Sequence, residues 1–96
     1  MEQIKPVKPV SEVLLKHKEY QSIEEFAATL EKIAAKLRAE GKFTFVQGEE
    51  QIIVEPTGQL KVEYEYTKKA DKHKFEIEFE WLEGTASAKR GDMSIE

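Results

Sequence analysis

Hydrophobic residues recur at steps of three and four between positions 22 and 41, which is the spacing of one helix face. Ser22 followed by Glu25 forms a capping box, in which each side chain can satisfy a free backbone N–H. Gly41 fits the left-handed residue that ends a helix. These signals predict an amphipathic helix from Ile23 to Glu40. Its apolar stripe comprises Ile23, Phe26, Ala27, Leu30, Ile33, Ala34 and Leu37.

Alternation of apolar and polar residues predicts strands on both sides of this helix. Before it, Val13 and Leu15 share one parity and indicate a strand near a sheet edge. After it, the same signal appears in four segments, residues 43–47, 51–55, 60–67 and 74–81. Because short connections join these segments, we expect antiparallel neighbours. The predicted fold is α+β in the order β-α-β-β-β-β, with one amphipathic helix packed on a mainly antiparallel five-stranded sheet.

The length of the chain, 96 residues, favours one domain with a small core. Residues 1–11 include KPVKPV, whose two prolines favour an extended segment, so we expect a flexible arm there. Residues 12–83 form the predicted domain. Residues 84–96 are small, polar and unpatterned, and we expect a mobile tail.

Composition narrows the classes of function. The net charge of −4 argues against broad binding to nucleic acid or to an anionic membrane. With no cysteine there is no disulfide, no thiolate chemistry and no cysteine zinc site. The first ten residues lack the apolar core of a signal peptide, and no apolar run approaches the roughly 20 residues that cross a bilayer. We therefore expect a cytoplasmic protein.

One helix is too narrow for the predicted sheet. A helix is about 10–12 Å wide, whereas five strands at about 4.8 Å spacing exceed 20 Å. Either the sheet curls strongly around the helix, or a second molecule covers the rest. The second molecule would be another copy of the chain, a peptide or a small apolar ligand. The aromatic residues concerned are Tyr64, Tyr66, Phe75, Phe79 and Trp81.

This arrangement resembles the amphi-Trp domain family of bacterial and archaeal proteins. The matching stretches are SIEEFAATLEKIAAKL from Ser22 to Leu37, then LKVEYEY, and FEIEFEW closing on Trp81. The resemblance covers residues 13–82 and leaves out the proline arm and the polar tail. It implies the fold, and it carries over no established activity and no catalytic residue.

The polar parity of the last two predicted strands is acidic. A register that pairs Tyr66 with Phe75 also sets acids of the two strands directly opposite each other, which destabilises a sheet. This face is a solvated surface that discourages wrong pairing, a docking surface for a basic partner, or a weak divalent-cation site. We predict no specific metal site, since a flat strand pair offers few converging ligands. The acids are Glu63, Glu65, Glu76, Glu78 and Glu80.

The turn between these two strands is basic, with Asp71 among the cations. Such a tip can hold a phosphate or contact a nucleic-acid backbone. It lacks a glycine nest and an adjacent exposed aromatic residue for base stacking, so a solvated turn is the simpler interpretation. The basic residues are Lys68, Lys69, Lys72, His73 and Lys74.

No catalytic constellation is evident in the sequence. His17 and His73 lie in different predicted elements, and neither has a serine or cysteine elbow beside it. We predict a small non-catalytic module without a cofactor, which binds a protein partner or associates with itself through the aromatic face. The alternative is a nucleic-acid or phosphate binder that uses the basic turn from Lys68 to Lys74.

Overall fold

The computed structural model describes residues 11–83 and 94–96. Apart from residue 11 and residues 94–96, the predicted arm and tail lie outside the described residues. The described elements are α1 (Ile23–Glu40), β1 (Phe43–Gln47), β2 (Glu50–Val54), β3 (Lys61–Lys69) and β4 (Lys72–Glu80). β1 pairs antiparallel with β2, and β3 with β4, in two separate two-stranded sheets. The α+β class is confirmed, and the single five-stranded sheet is wrong for the part of the chain described here.

The helix begins and ends at the predicted residues. The Glu25 backbone N–H donates to Ser22 Oγ at 3.1 Å, and that hydroxyl donates to Glu25 Oε1, also at 3.1 Å. At the other end, Gly41 has a φ of 70° and its N–H donates to the Leu37 carbonyl at 2.9 Å. A left-handed φ is unstrained at glycine, so local chemistry sets both ends of α1.

The strand predicted before the helix is wrong. Residues 11–22 form neither helix nor strand. A strand needs a neighbour for its backbone N–H and C=O groups, and neither hairpin pairs with this segment. The apolar alternation at Val13 and Leu15 is also short, because charged residues follow it at once.

A side-chain contact holds this segment instead. Nδ1 of His17 lies 3.3 Å from Nε2 of Gln47, at the end of β1. Nε2 of the same ring lies 3.1 Å from Oε1 of Glu19. Both contacts fit an imidazole that carries its proton on Nε2 and accepts from the Gln47 amide through Nδ1. The histidine therefore links the segment before α1 to the first hairpin.

The predicted pairing of β2 with β3 is also wrong. Each hairpin closes through two residues, whereas six residues from Glu55 to Leu60 join β2 to β3. Pro56 fixes its own φ and has no N–H to donate, and Gly58 has a φ of 71°. This link is longer than the tight turns that return a strand beside its predecessor. The four strands after the helix therefore form two separate hairpins instead of one continuous antiparallel sheet.

The helix packs on the first hairpin alone. Ile33 and Leu37 of α1 are half-buried, as are Phe43 and Phe45 on the matching face of β1. No Cα atom of β3 or β4 lies within 8 Å of α1, β1 or β2. No hydrophobic side chain among the described residues is fully buried. The radius of gyration of 17.4 Å exceeds the roughly 13 Å of a compact 100-residue domain. The described elements are therefore not packed around one common core.

Candidate functional site: the second hairpin

The β3–β4 hairpin has the register that the alternation predicts. Residues paired across an antiparallel ladder point to the same side of the sheet, so three pairs form one apolar surface. Trp81 follows β4 directly, and its ring stacks on Phe79 with centroids 6.1 Å apart and planes 18° apart. We call this surface, with Trp81, the aromatic face. Its cross-strand pairs are Val62–Phe79, Tyr64–Ile77 and Tyr66–Phe75.

Tyr66 is the centre of a small ring cluster on this face. Its ring meets Phe75 edge-on, with centroids 6.4 Å apart and planes 84° apart. It also meets His73 edge-on at 5.9 Å, and the Tyr66 hydroxyl lies 2.6 Å from Nδ1 of His73. The hydroxyl can donate to an unprotonated Nδ1. Sequence reasoning missed this contact, although His73 is the diagonal neighbour of Tyr66 once Tyr66 is paired with Phe75.

The aromatic face is open to solvent on the β3 side and near the turn. Apart from Phe79 and Trp81, the residues of the face have exposed fractions from 40% at Tyr64 to 64% at Tyr66, and Phe75 is 58% exposed. Phe79 and Trp81 are half-buried by each other and by the strand. No described element of the chain lies over these residues. Contiguous exposed apolar patches of this kind are the usual sites of protein or ligand contact.

The opposite side of the hairpin is acidic, as predicted. Glu63 lies across from Glu78, and Glu65 lies across from Glu76, so like charges face each other in two successive pairs. At the end of the hairpin away from the turn, opposite charges face each other instead. Lys61 lies across from Glu80, with 3.6 Å between Nζ and Oε1. We call this side the acidic face.

Lys74 partly neutralises the acidic face near the turn. Its ammonium group is in direct contact with the carboxylate of Glu76, two residues further along β4. The hydrogen bond to Glu76 and the negative charge of that residue raise the pKa of Lys74 above its usual 10.5. The more distant charges of Glu65 and Glu78 act in the same direction. Lys74 is therefore part of the acidic face rather than a free cation of the turn.

The other predicted basic residues gather around the turn but point to two sides. Lys68 pairs with His73, and Lys69 pairs with Lys72, across the two-residue turn of Ala70 and Asp71. Because side chains alternate along a strand, Lys68 and His73 share the side of the aromatic face. Lys69, Lys72 and Lys74 share the side of the acidic face. The five predicted basic residues are close in space, and they do not converge on one point.

A concave region lies between the helix and the first hairpin. It is a groove of about 770 Å³ between α1 and β1. Ile33, Phe43 and Phe45 contribute apolar surface to it, and Lys32 and Lys36 of α1 also line it. Sequence reasoning did not single out this groove. The sequence signal that could have identified the groove is the pair Lys32 and Lys36, four residues apart and beside the apolar stripe of the helix.

Across residues 11–83 and 94–96, no three histidine or acidic side chains are grouped as a metal would require. Over the same residues, no helix combines the length and the apolar character needed to cross a bilayer.

Comparison with known proteins bears on the family. Residues 8–96 match the model of the Amphi-Trp domain. The match is longer than the resemblance based on residues 13–82, and it includes the polar tail that the resemblance left out. Searches of curated proteins and of solved structures gave no match. A match over nearly the whole chain shows that this protein belongs to the Amphi-Trp domain family.

Proposed function

We propose that this protein is a non-catalytic binding module, which docks its aromatic face on an apolar surface of a protein partner or of a second copy of the chain. The observation that carries the proposal is the exposed row of aromatic and aliphatic side chains on one side of the β3–β4 hairpin. α1 packs on β1 and does not lie over this row.

The energetics of the exposed side chains support this role. Full burial of a large apolar side chain contributes about 1.5–3 kcal/mol. Tyr66 and Phe75 are each more than half exposed, so covering both contributes roughly 2 kcal/mol. An isolated two-stranded hairpin is at best marginally stable in water, and a partner on its apolar face would stabilise it.

A cytoplasmic location is part of the proposal. The chain contains no cysteine, which is compatible with a reducing compartment. Its net charge of −4 opposes general attachment to anionic membrane surfaces. Binding through the aromatic face depends on neither disulfides nor a bound metal.

The first test compares the two sides of the hairpin. Replacing Tyr66 and Phe75 together by serine removes apolar surface from the aromatic face. Replacing Glu63 and Glu78 together by glutamine is the matched control, since it changes two side chains of the same strands on the other side. We expect the wild-type chain and the control to bind an apolar dye or a partner protein, and the serine variant to lose that binding.

Trp81 provides an independent readout, because it is the only tryptophan of the chain. A soluble fluorescence quencher reports how far its ring is covered. A protein that stays monomeric, binds no apolar dye and shields Trp81 from the quencher would contradict the proposal. Far-UV circular dichroism of each variant shows whether the fold is retained.

A second candidate function is binding of phosphate or nucleic acid at the turn of this hairpin. It is favoured by the cross-strand pairs Lys68–His73 and Lys69–Lys72, which gather cations around a two-residue turn. Titration with short DNA and RNA at low salt tests it. We expect glutamine at Lys68 and Lys72 to abolish binding, and glutamine at Lys61, at the other end of β3, to preserve it. No spectral change at the turn would end this candidate.

A further inference from the structure

We infer that the molecule on the aromatic face is a second copy of this chain, in a two-fold dimer whose β3–β4 hairpins stack face to face and run in opposite directions. The inference rests on the proposed function and names its partner. It makes the hairpin one half of a four-stranded sandwich rather than an isolated sheet.

The first argument is that no other described helix or strand of the chain covers the aromatic face. The C-terminal part of the apolar stripe of α1 lies towards β1, where Ile33 and Leu37 are half-buried, whereas Ile23, Phe26 and Leu30 are exposed. The six-residue link that includes Pro56 separates the second hairpin from this unit. In this structure α1 contacts β1 and reaches neither strand of the second hairpin. A second molecule covers the aromatic face without disturbing that packing.

The second argument is the shape of the face. Strands of nine residues are about 30 Å long, and sheets that pack face to face lie about 10 Å apart. An apolar strand pair of this length can pack on another strand pair of the same length and the same twist. In a two-fold dimer the same patch serves on both copies, so the aromatic face needs only to be complementary to itself.

The third argument is the area available. Aromatic side chains bury about 150–250 Å² each, and the exposed parts of Tyr64, Tyr66 and Phe75 together offer roughly 300 Å². The aliphatic residues of the face and the rings of Phe79 and Trp81 bring this to on the order of 600 Å² for each copy. Two copies would bury about 1,200 Å², the lower limit of a specific interface. We therefore expect a reversible dimer that depends on concentration.

Charge sets the relative direction of the two hairpins. The aromatic face has a cationic end at Lys68 and an aromatic end at Trp81. Hairpins that ran in the same direction would bring the two lysines together. Hairpins that run in opposite directions place the cationic end of each copy over the tryptophan end of the other, where cation–π attraction is favourable.

The acidic faces limit face-to-face stacking to two copies. In the face-to-face arrangement they form the two outer surfaces of the sandwich. A third hairpin added by stacking would bring an aromatic or acidic face against the opposed carboxylates of Glu63 and Glu78. Desolvation of those charges disfavours this addition.

Cross-linking tests the arrangement directly, since the chain has no cysteine of its own. The pair Tyr64–Ile77 is the middle of the aromatic face, and the opposite running order places each of these residues over its own counterpart on the two-fold axis. We expect Ile77→Cys and Tyr64→Cys each to form dimers with a short bismaleimide. The matched control Glu78→Cys, one residue along β4 on the acidic face, should remain monomeric under the same treatment.

Sedimentation of the unmodified chain, between roughly 1 μM and 1 mM, provides a measurement without variants. We expect a monomer–dimer equilibrium, in which Phe75→Ser raises the dissociation constant roughly tenfold and Glu63→Gln does not raise it. Cross-linking of Glu78→Cys instead of Ile77→Cys would overturn the interface. Cross-linking of Lys68→Cys to itself would overturn the opposite running order.

The two proposals fail in different ways. A monomer at every concentration, with Trp81 open to a quencher, would overturn the dimer and leave the proposed binding function in place. A monomer with Trp81 shielded from the quencher would overturn both, since the chain would then cover its own aromatic face.

Discussion

Glu63 lies directly across from Glu78 in the β3–β4 ladder, on the opposite side of the sheet from the aromatic face. Glu65 and Glu76 are opposed in the same way one step nearer the turn. Like charges in direct cross-strand positions oppose pairing. The hairpin therefore keeps its register against a local repulsion, because the apolar pairs on the other side specify it.

Reversing one charge of this pair should stabilise the hairpin. We expect Glu78→Lys to raise the free energy of unfolding by about 0.5–1 kcal/mol, because a lysine would then face Glu63. Glu80→Lys is the matched control and should lower it, since it opposes two lysines across from each other at Lys61. Urea unfolding at one fixed protein concentration measures both. A similar change in both variants would show that the cross-strand charge pairs are unimportant.

Added salt should have a related effect. Exposed charges are screened as ionic strength rises, with a Debye length of about 10 Å at 0.1 M salt. The wild-type chain should gain stability between low and moderate salt as the repulsion across the acidic face weakens. Glu78→Lys should gain less, because one repulsive pair has been replaced by an attractive one. Equal salt dependence would contradict this account.

The turn of the same hairpin contains a strained residue. Ala70 has a φ of 55°, a left-handed conformation that costs an L-residue with a Cβ roughly 1–2 kcal/mol. We expect Ala70→Gly to raise the free energy of unfolding by about 1 kcal/mol. Ala35→Gly, in the interior of α1, should lower it by about as much. Thermal or urea unfolding of the two variants checks the contrast, and a loss of stability in both would refute it.

The N-terminus of α1 provides another test. Ser22→Ala removes the acceptor of the Glu25 N–H and should lower the free energy of unfolding by about 1 kcal/mol. Ser22→Asp retains an acceptor at the cap and should cost little. Amide hydrogen exchange in the first turn of α1 follows the effect locally. Unchanged protection in the alanine variant would mean that the cap does not hold the turn.

Lys74 should show a pH effect in the alkaline range. Its pKa in the folded chain lies above 10.5, because Glu76 accepts a hydrogen bond from its ammonium group and carries a negative charge. A raised folded-state pKa contributes stability that is complete below 10.5 and is lost as the pH rises through the folded value. NMR titration of the Lys74 side chain measures the shift. Glu76→Gln should return the pKa towards 10.5, and an unchanged value in that variant would exclude Glu76 as the cause.

The sequence predicts best those features that adjacent residues determine. Ser22 and Gly41 end the helix through bonds to residues three or four positions away, and both ends were found as predicted. The pairing of Tyr66 with Phe75 also follows from local information, since a short turn and strict alternation leave one register that buries a common side. The grouping of the aromatic residues on one surface was predictable for the same reason.

Long-range pairing was not predictable in the same way. Val13 and Leu15 have a strand-like pattern, but a strand forms only where another strand offers its backbone, and no strand among the described residues pairs with this segment. The separation of β2 from β3 depends on the link through Pro56 and Gly58, whose geometry the alternation of neighbouring residues does not specify. The contact of Tyr66 with His73 requires the turn length as well as the register.

The two-residue turn at Ala70 and Asp71 also determines how early in folding the aromatic face forms. Closing a short loop has a small entropic cost, and β-hairpins form in about 1–10 μs. Meeting a second molecule is a bimolecular event, whose rate falls with dilution. In the proposed dimer, the apolar side of a newly made chain would stay exposed for a period set by the concentration of the chain. During that period, the acidic faces of neighbouring hairpins would repel each other, which disfavours aggregation.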